Sequence, residues 1–550
     1  MDRPRRALNP ATALALLGPP VVFLLVFFAW PVANIVGAGL RGDGRWDLSG
    51  VTDVLGDPDL RRVAWFTLWQ AAASTLATLV IALPAAQMLA RYEFRGRRLV
   101  QALAAVPFVM PTVVVGAAFL ALLGEHGPLG IDGRGTVVAI VIAHVFFNHA
   151  VVVRTVGGLW EGLDPATEEA ARVLGATRLQ AFRVVTLPAL RPAIASATVI
   201  TFLFTFTSFG VIRILGGARH VTLEVEIYRQ TADLLNLPVA SVLALLQLLA
   251  VGALLVVQGR IERRRRTTGV ALHPAPRRRA RTSGERAWVS ANLLVLALLL
   301  GVPLASLVER SFRTPDGHGL AGWRALGDAQ RGSGLFVAPI EAVGNSLRFA
   351  TVATLLAVVL GGLAAAALAR AQGRMAHALD GLLLLPLGTS AVTVGFGFLI
   401  ALDAPVDLRA SPWLVPIAQA LIALPFVVRT MTPVLRSIDP RLRDAAAVLG
   451  ASPGAAWREV DLPLVRRAVL VAAGFAFAIS LGEFGATTVI ARADAPTMPV
   501  AIARLLSRPG PLNTTQAFAL STILMLLTTG AVLLVDHRRA RDRSRSDGWV

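Results

Sequence analysis

The 550-residue sequence contains no cysteine and no lysine; all 53 basic residues are arginine. Without cysteine there is no disulfide framework, no iron–sulfur cluster and no thiolate zinc site. Without lysine no Walker-type phosphate loop can be written, so this chain is not a standard P-loop ATPase. Schiff-base lysine chemistry is excluded as well. Charge is also scarce. Charged residues make up 16% of the chain, against roughly 25% in a typical soluble chain. Hydrophobic residues make up 55%, and the mean hydropathy is +0.64. The three or four soluble domains that about 150 residues apiece would give are therefore not expected.

A hydrocarbon core of about 30 Å, crossed at about 1.5 Å per residue, needs about 20 apolar residues. Twelve stretches meet that length, near 11–36, 63–90, 99–123, 136–160, 193–214, 238–258, 288–308, 345–369, 379–402, 412–435, 467–490 and 514–535. An all-α membrane protein of about twelve transmembrane helices is expected. Pro84, Pro107, Pro111 and Pro425 interrupt some stretches, which membrane helices tolerate when neighbours satisfy the freed backbone groups. Arg3, Arg5 and Arg6 give the first stretch the flank of a signal peptide, but its apolar run reaches Leu40. A signal core is only roughly 7–15 residues, so a retained helix is expected.

Arginine placement sets orientation. With the N-terminus inside, the arginines sort 33 to the cytoplasmic side and 15 to the other, with five in the stretches themselves. Dense groups are Arg91, Arg95, Arg97 and Arg98; Arg260 with Arg263 to Arg266; Arg277 to Arg279; and Arg538, Arg539 and Arg541. Both termini are expected to be cytoplasmic. The net charge of +19 then reads as an orientation signal and a headgroup contact, with no nucleic-acid partner implied. The basic stretch 259–287 reads as a cytoplasmic linker between halves 1–258 and 288–550; a lipid headgroup contact is its alternative.

The halves repeat each other. Val152-Val153-Arg154-Thr155 recurs as Val427-Val428-Arg429-Thr430, Asp164-Pro165 as Asp439-Pro440, and Val173-Leu174-Gly175-Ala176 as Val448-Leu449-Gly450-Ala451. Leu187-Pro188 recurs as Leu462-Pro463 and Phe209-Gly210 as Phe484-Gly485. Each pair is 275 residues apart, whereas Gly116 and Gly395 are 279 apart. Six spans per half return the chain to the same face, so the repeat is parallel and can enclose a pathway.

The most similar segments lie near 161–192 and 436–467. Asp164 suits an N-cap and Pro165 the first helical position. Gly175 sits where a left-handed C-cap is needed, and Thr177 can cap a second helix that closes at Leu187-Pro188. The second copy repeats this grammar with Asp439, Pro440, Gly450, Ser452 and Leu462-Pro463. Phe182 and Trp457 occupy matching positions as aromatic packing anchors. Each half thus presents a helix–Gly–helix hairpin; an amphipathic hairpin lying on headgroups is the alternative.

Glu169-Ala170-Ala171, Gly175, Val185 and Leu187-Pro188 match the E-A-A…G…L-P signature of permease subunits of bacterial ABC importers. The second copy matches at Ala445-Ala446, Gly450, Val460 and Leu462-Pro463, with Asp444 replacing the glutamate. The sequence resembles that family over nearly its whole length. The resemblance implies a type I ABC importer permease fold in two parallel six-helix repeats, and a bacterial plasma membrane location. It also implies that both hairpins are coupling helices docking two copies of a separate ATPase subunit. Glu169 and Asp444 would make polar contacts there, and Gly175 and Gly450 would give the bend. ATP and magnesium would belong to the partner and no cofactor to this chain. A binding protein would deliver the solute, and no second permease chain would be required.

Fused permeases of this kind resemble the thiamine and iron(III) importers. The run Phe204 to Gly210, with Leu215-Gly216-Gly217 and Thr222-Leu223-Glu224 to Ile227-Tyr228, is similar to the thiamine branch. Iron-type permeases more often place an acid before the first Phe-Gly, where this chain has Ser208. The second half has Glu483 at that place. Ser208, Phe209, Gly210, Glu483, Phe484 and Gly485 are the candidate pathway or gate residues. Glu483 is an ionisable group in a span, and such groups usually face a cavity; pairing at an interface is its alternative. His144 and Asn148 share a helical face near His149, and interhelical hydrogen bonding is expected there over metal binding. An ion-coupled secondary transporter would carry charged coupling clusters within its spans. A polytopic enzyme would carry a buried acid/base or nucleophile constellation. Neither pattern is present in the sequence.

Overall fold

The computed structural model describes residues 10–42, 45–125, 127–267, 277–314, 317–328, 334–371, 373–404 and 406–546. Arg3, Arg5 and Arg6 lie outside them. Among the described residues, ten helices are long and apolar enough to cross a membrane: Leu14–Leu40, Pro58–Arg91, Val137–Gly162, Arg178–Phe206, Leu237–Glu262, Ser283–Ser311, Glu341–Arg370, Leu414–Ser437, Gly454–Gly482 and Pro511–Leu534. They account for ten of the twelve apolar stretches.

The other two, the third of each half, are broken. Arg97–Val109 and Thr112–Leu123 meet at 106°. In the second half, Gly373–Leu384 gives way to a 3₁₀ turn at Leu385–Gly388 before Ala391–Ala401. Pro107, Pro111 and Pro386 explain the breaks: proline has no N–H to donate and its ring crowds the carbonyl four residues back. Pro107 and Pro386 are 279 residues apart, so the break belongs to the repeat. Among the described residues the apolar stretches thus form ten continuous helices and two interrupted ones, with the interruption at Pro107 and Pro111 where the sequence places it.

Lipid tails are as apolar as leucine, so helices in a membrane associate by close packing of small residues. Glu341–Arg370 shows how: Ala350, Ala353, Ala357 and Ala364 form a fully buried stripe at helical spacing. The first span of each half packs on the opposite half. Phe23, Leu24 and Phe28 join the core of Phe349, Ala353, Leu424 and Val427, and the Trp30 indole donates to the Ala401 carbonyl at 3.0 Å. Conversely, Val289, Leu296 and Leu307 join Val113, Phe119 and Ile140, and the Trp288 indole donates to Gln87 Oε1 at 2.8 Å. The halves are therefore interlocked.

The basic connection also packs. Helix Leu237–Thr267 runs past residue 258; residues 268–276 lie outside the described set. Beyond them Arg278–Arg279 pairs in parallel with Tyr92–Glu93. Arg277 meets Glu161 at 3.3 Å and Arg278 meets Glu285 at 2.9 Å. Glu161 is also held by Arg97 at 2.7 Å. This end of the connection is tied to the start of the first hairpin.

Candidate functional site

The hairpins form from local rules. Asp164 caps Pro165–Val173 by accepting from the Ala166 N–H at 2.9 Å. Asp439 does the same for Pro440–Val448 through Arg441 at 2.9 Å. Thr177 and Gln180 form a reciprocal capping box, and Ser452 Oγ accepts from Ala455 at 3.3 Å. Gly175 and Gly450 have φ of +96° and +84°, a left-handed conformation that costs other residues roughly 1–2 kcal/mol. A widened π-helical turn follows at Phe182–Thr186 and Trp457–Asp461. Pro188 and Pro463 come next, and neither can donate to the carbonyl four residues back; the wider turn relieves that crowding.

Glu169, Ala170, Asp444 and Ala445 are exposed, and Ala171 and Ala446 are half-buried. Leu187 is half-buried, and Pro188, Leu462 and Pro463 are exposed. The matched aromatics differ: Phe182 stacks on Trp160 of its own half at 6.0 Å, whereas Trp457 is 45% exposed. Sequence reasoning missed two features. At the tips Val173, Leu174, Val448 and Leu449 are each 87–88% exposed, and exposed apolar groups repeated at one place mark an interaction surface. Their signal was the identical Val-Leu-Gly-Ala in both copies. Each hairpin also carries an internal tether. The Thr186 hydroxyl donates to Glu168 Oε2 at 2.9 Å, and Arg443 donates to both oxygens of Asp461 at 2.8 and 2.9 Å. Residues 168 and 443, like 186 and 461, are 275 apart.

The second part of the site lies between the halves. A cavity of about 480 Å³ is lined by Phe108, Phe147, Phe204, Phe426 and Phe475 among others. Phe209 and Phe484, the paired Phe-Gly positions, both line it and meet at 5.1 Å between ring centroids. They follow the helices that rise from the hairpins, so they stand at the end of the cavity away from the hairpins. Gly485 lets the chain approach the broken third stretch; a Cβ there would lie 2.7 Å from Ala391 Cβ. Gly210 abuts Thr112 in the same way.

The remaining candidates divide. Glu483 lines the cavity, and its carboxylate accepts from the backbone N–H groups of Ala486 and Thr487 at 2.8 and 3.0 Å. It caps the short helix Gly485–Ile490. Ser208, its counterpart, is buried and bonds His144 Nε2 at 2.8 Å, while His144 Nδ1 meets Ser74 Oγ at 3.0 Å. Asn148 donates to the His144 carbonyl at 3.0 Å. His144 thus joins its helix to the elements of Ser74 and Ser208, whereas the Asn148 bond stays within its own helix and is not the interhelical bond expected of it. Glu224 also lines the cavity, takes a hydrogen bond from Gln247 at 2.7 Å and another from Ser390, and so links the two halves. Arg154 and Arg429, from the repeated Val-Val-Arg-Thr, line it as well.

The chain is similar to known proteins over most of its length. A family model described as "Binding-protein-dependent transport system inner membrane component" covers residues 78–267 and again 357–541. The thiamine transport system permease protein ThiP of Brucella abortus is 30% identical over 98% of this chain and 98% of its own length. The ThiP protein of Escherichia coli is 26% identical over 80% of this chain and 83% of its own length. Among solved structures, a bacterial ABC transporter involved in the import of the acidic polysaccharide alginate aligns over 46% of this chain and 94% of its own, with 19% identity and a TM-score of 0.40.

Proposed function

Since this chain belongs to the family of binding-protein-dependent transport system inner membrane components, we propose that it forms the pathway by which an ABC importer carries thiamine or its phosphates. The chain is a multi-pass inner membrane permease, of a permease family and not an enzyme family. The observation that carries the solute is the full-length likeness to thiamine permeases. The cavity supports it. Aromatic faces attract organic cations, and Glu224 and Glu483 place carboxylates beside seven phenylalanines.

Two copies of a separate ATPase sit on the two hairpins, with ATP and magnesium bound on those subunits. The hairpins and both termini face the cytoplasm, as the arginine distribution favours. An extracytoplasmic binding protein delivers solute at the Phe209–Phe484 end. ATPase closure moves the hairpins, and through Leu187-Pro188 and Leu462-Pro463 the helices that end at those phenylalanines. Closure shifts the bundle only as far as the ATPases bind one arrangement better than the other.

The test is uptake by the chain reconstituted with its ATPase and binding protein. Thiamine accumulation is expected with ATP and absent without ATPase. Uptake that persists without ATP and follows an ion gradient would overturn the importer reading. Iron(III) accumulation in place of thiamine would overturn the solute.

A further inference from the structure

Two guanidinium groups in the cavity stand without a partner among the described residues. Arg154 and Arg429 are repeat mates 275 residues apart, both line the cavity and both are exposed to it. No hydrogen bond or ion pair reaches either among the described residues. Both lie within spans, Val137–Gly162 and Leu414–Ser437. An ionisable group inside a span is costly and normally paired or functional, and here the cost is borne twice at symmetric positions. The carboxylates that share the cavity do not neutralise them. Glu224 is engaged by Gln247 and Ser390, and Glu483 by two backbone N–H groups.

Position adds a direction. Arg154 follows Phe147 by seven residues, and Arg429 follows Ile422 by seven. Seven residues are two helical turns, about 10 Å towards the hairpins on the same face. The aromatic and acidic groups at Phe209, Phe484 and Glu483 occupy the other end. The cavity is thus polar along its length, with Phe209, Phe484 and the Glu483 carboxylate far from the hairpins and the two guanidiniums nearer to them. Guanidinium binds phosphate oxygens in bidentate fashion.

We infer that Arg154 and Arg429 form an anion-binding pole that holds the phosphate of a phosphorylated solute and so sets its preference over the unphosphorylated one. This rests on the thiamine reading above and assigns two residues that discriminate between its solutes. Lipid phosphate has the same chemistry and is separated from solute in the test.

The experiment measures uptake of labelled thiamine and thiamine monophosphate by the complex with its ATPase and binding protein. Vesicles are of phosphatidylcholine, with and without phosphatidylglycerol. The ratio of monophosphate to thiamine uptake is expected to fall at least tenfold in R154Q/R429Q, and to recover most of that loss in R154K/R429K. If the double variant fails to assemble, R154Q and R429Q alone decide by the same ratio. An unchanged ratio, or wild-type uptake of thiamine but never the monophosphate, would overturn the inference and leave the thiamine reading standing. An equal effect on both solutes that appears only with phosphatidylglycerol would make the pole a lipid site, which also overturns it. Uptake of neither solute by the wild type would instead sink the thiamine reading itself.

Discussion

At the scale of single residues, the two hairpins are copies held by different chemistry. Glu168 and Thr186 share a hydrogen bond in one, and Arg443 and Asp461 an ion pair in the other. Arg443→Ala would leave Asp461, which is 2% exposed, without its guanidinium. Removing one partner of a buried pair costs about 3–5 kcal/mol; with Arg443 part-exposed, about 2 kcal/mol is expected. The double variant R443E/D461T recreates the pair found in the first copy. It should recover most of the loss in a thermal unfolding scan of the purified protein. A swap no more stable than R443A would show that the hairpins need distinct tethers. Cap, glycine and Leu-Pro were legible because their rules are local. The tether was not, since comparing the halves shows only mismatches there, glutamate with arginine and threonine with aspartate.

At the scale of elements, hydropathy located all twelve apolar stretches but not their continuity. Composition fixes whether a stretch prefers lipid; proline decides whether its backbone can stay helical. The broken third stretches are what the Phe-Gly turns pack upon. The hairpin tips make a second case, because sequence periodicity cannot say that an apolar pair faces solvent. L174D and L449D replace side chains that are 88% and 87% exposed, so each should change the stability of this chain by less than about 0.5 kcal/mol. Burying a leucine is worth about 1.5–3 kcal/mol, and the double variant should retain at least tenfold less ATPase on co-purification. Undiminished retention would mean that the tips are not the docking surface.

At the scale of the whole molecule, the swapped first spans tie the halves together, while the Phe209–Phe484 contact lies between them on the pseudo-two-fold. A body joined on its flanks can rock at its centre, and on the proposed pathway the ring contact is the part that opens for solute. The absence of cysteine makes this testable without background. In F209C/F484C a short, reducible thiol crosslinker should lower ATP-driven uptake at least tenfold, and reductant should restore it. Uptake that continues through an established crosslink would remove these rings from the gate.

The sequence by itself determined the membrane class, the duplication, the family and the hairpin grammar. Each depends on composition, on fixed spacing or on contacts within a few residues. Only the tertiary structure decided that the first spans cross over, that Phe182 turns inward on Trp160, and that Arg154, Arg429, Glu224 and Glu483 border one cavity. Those relations join residues tens to hundreds of positions apart. In a bundle of nearly uniform apolar helices, what brings them together is the close packing of small side chains, and hydrophobic pattern does not encode which face meets which.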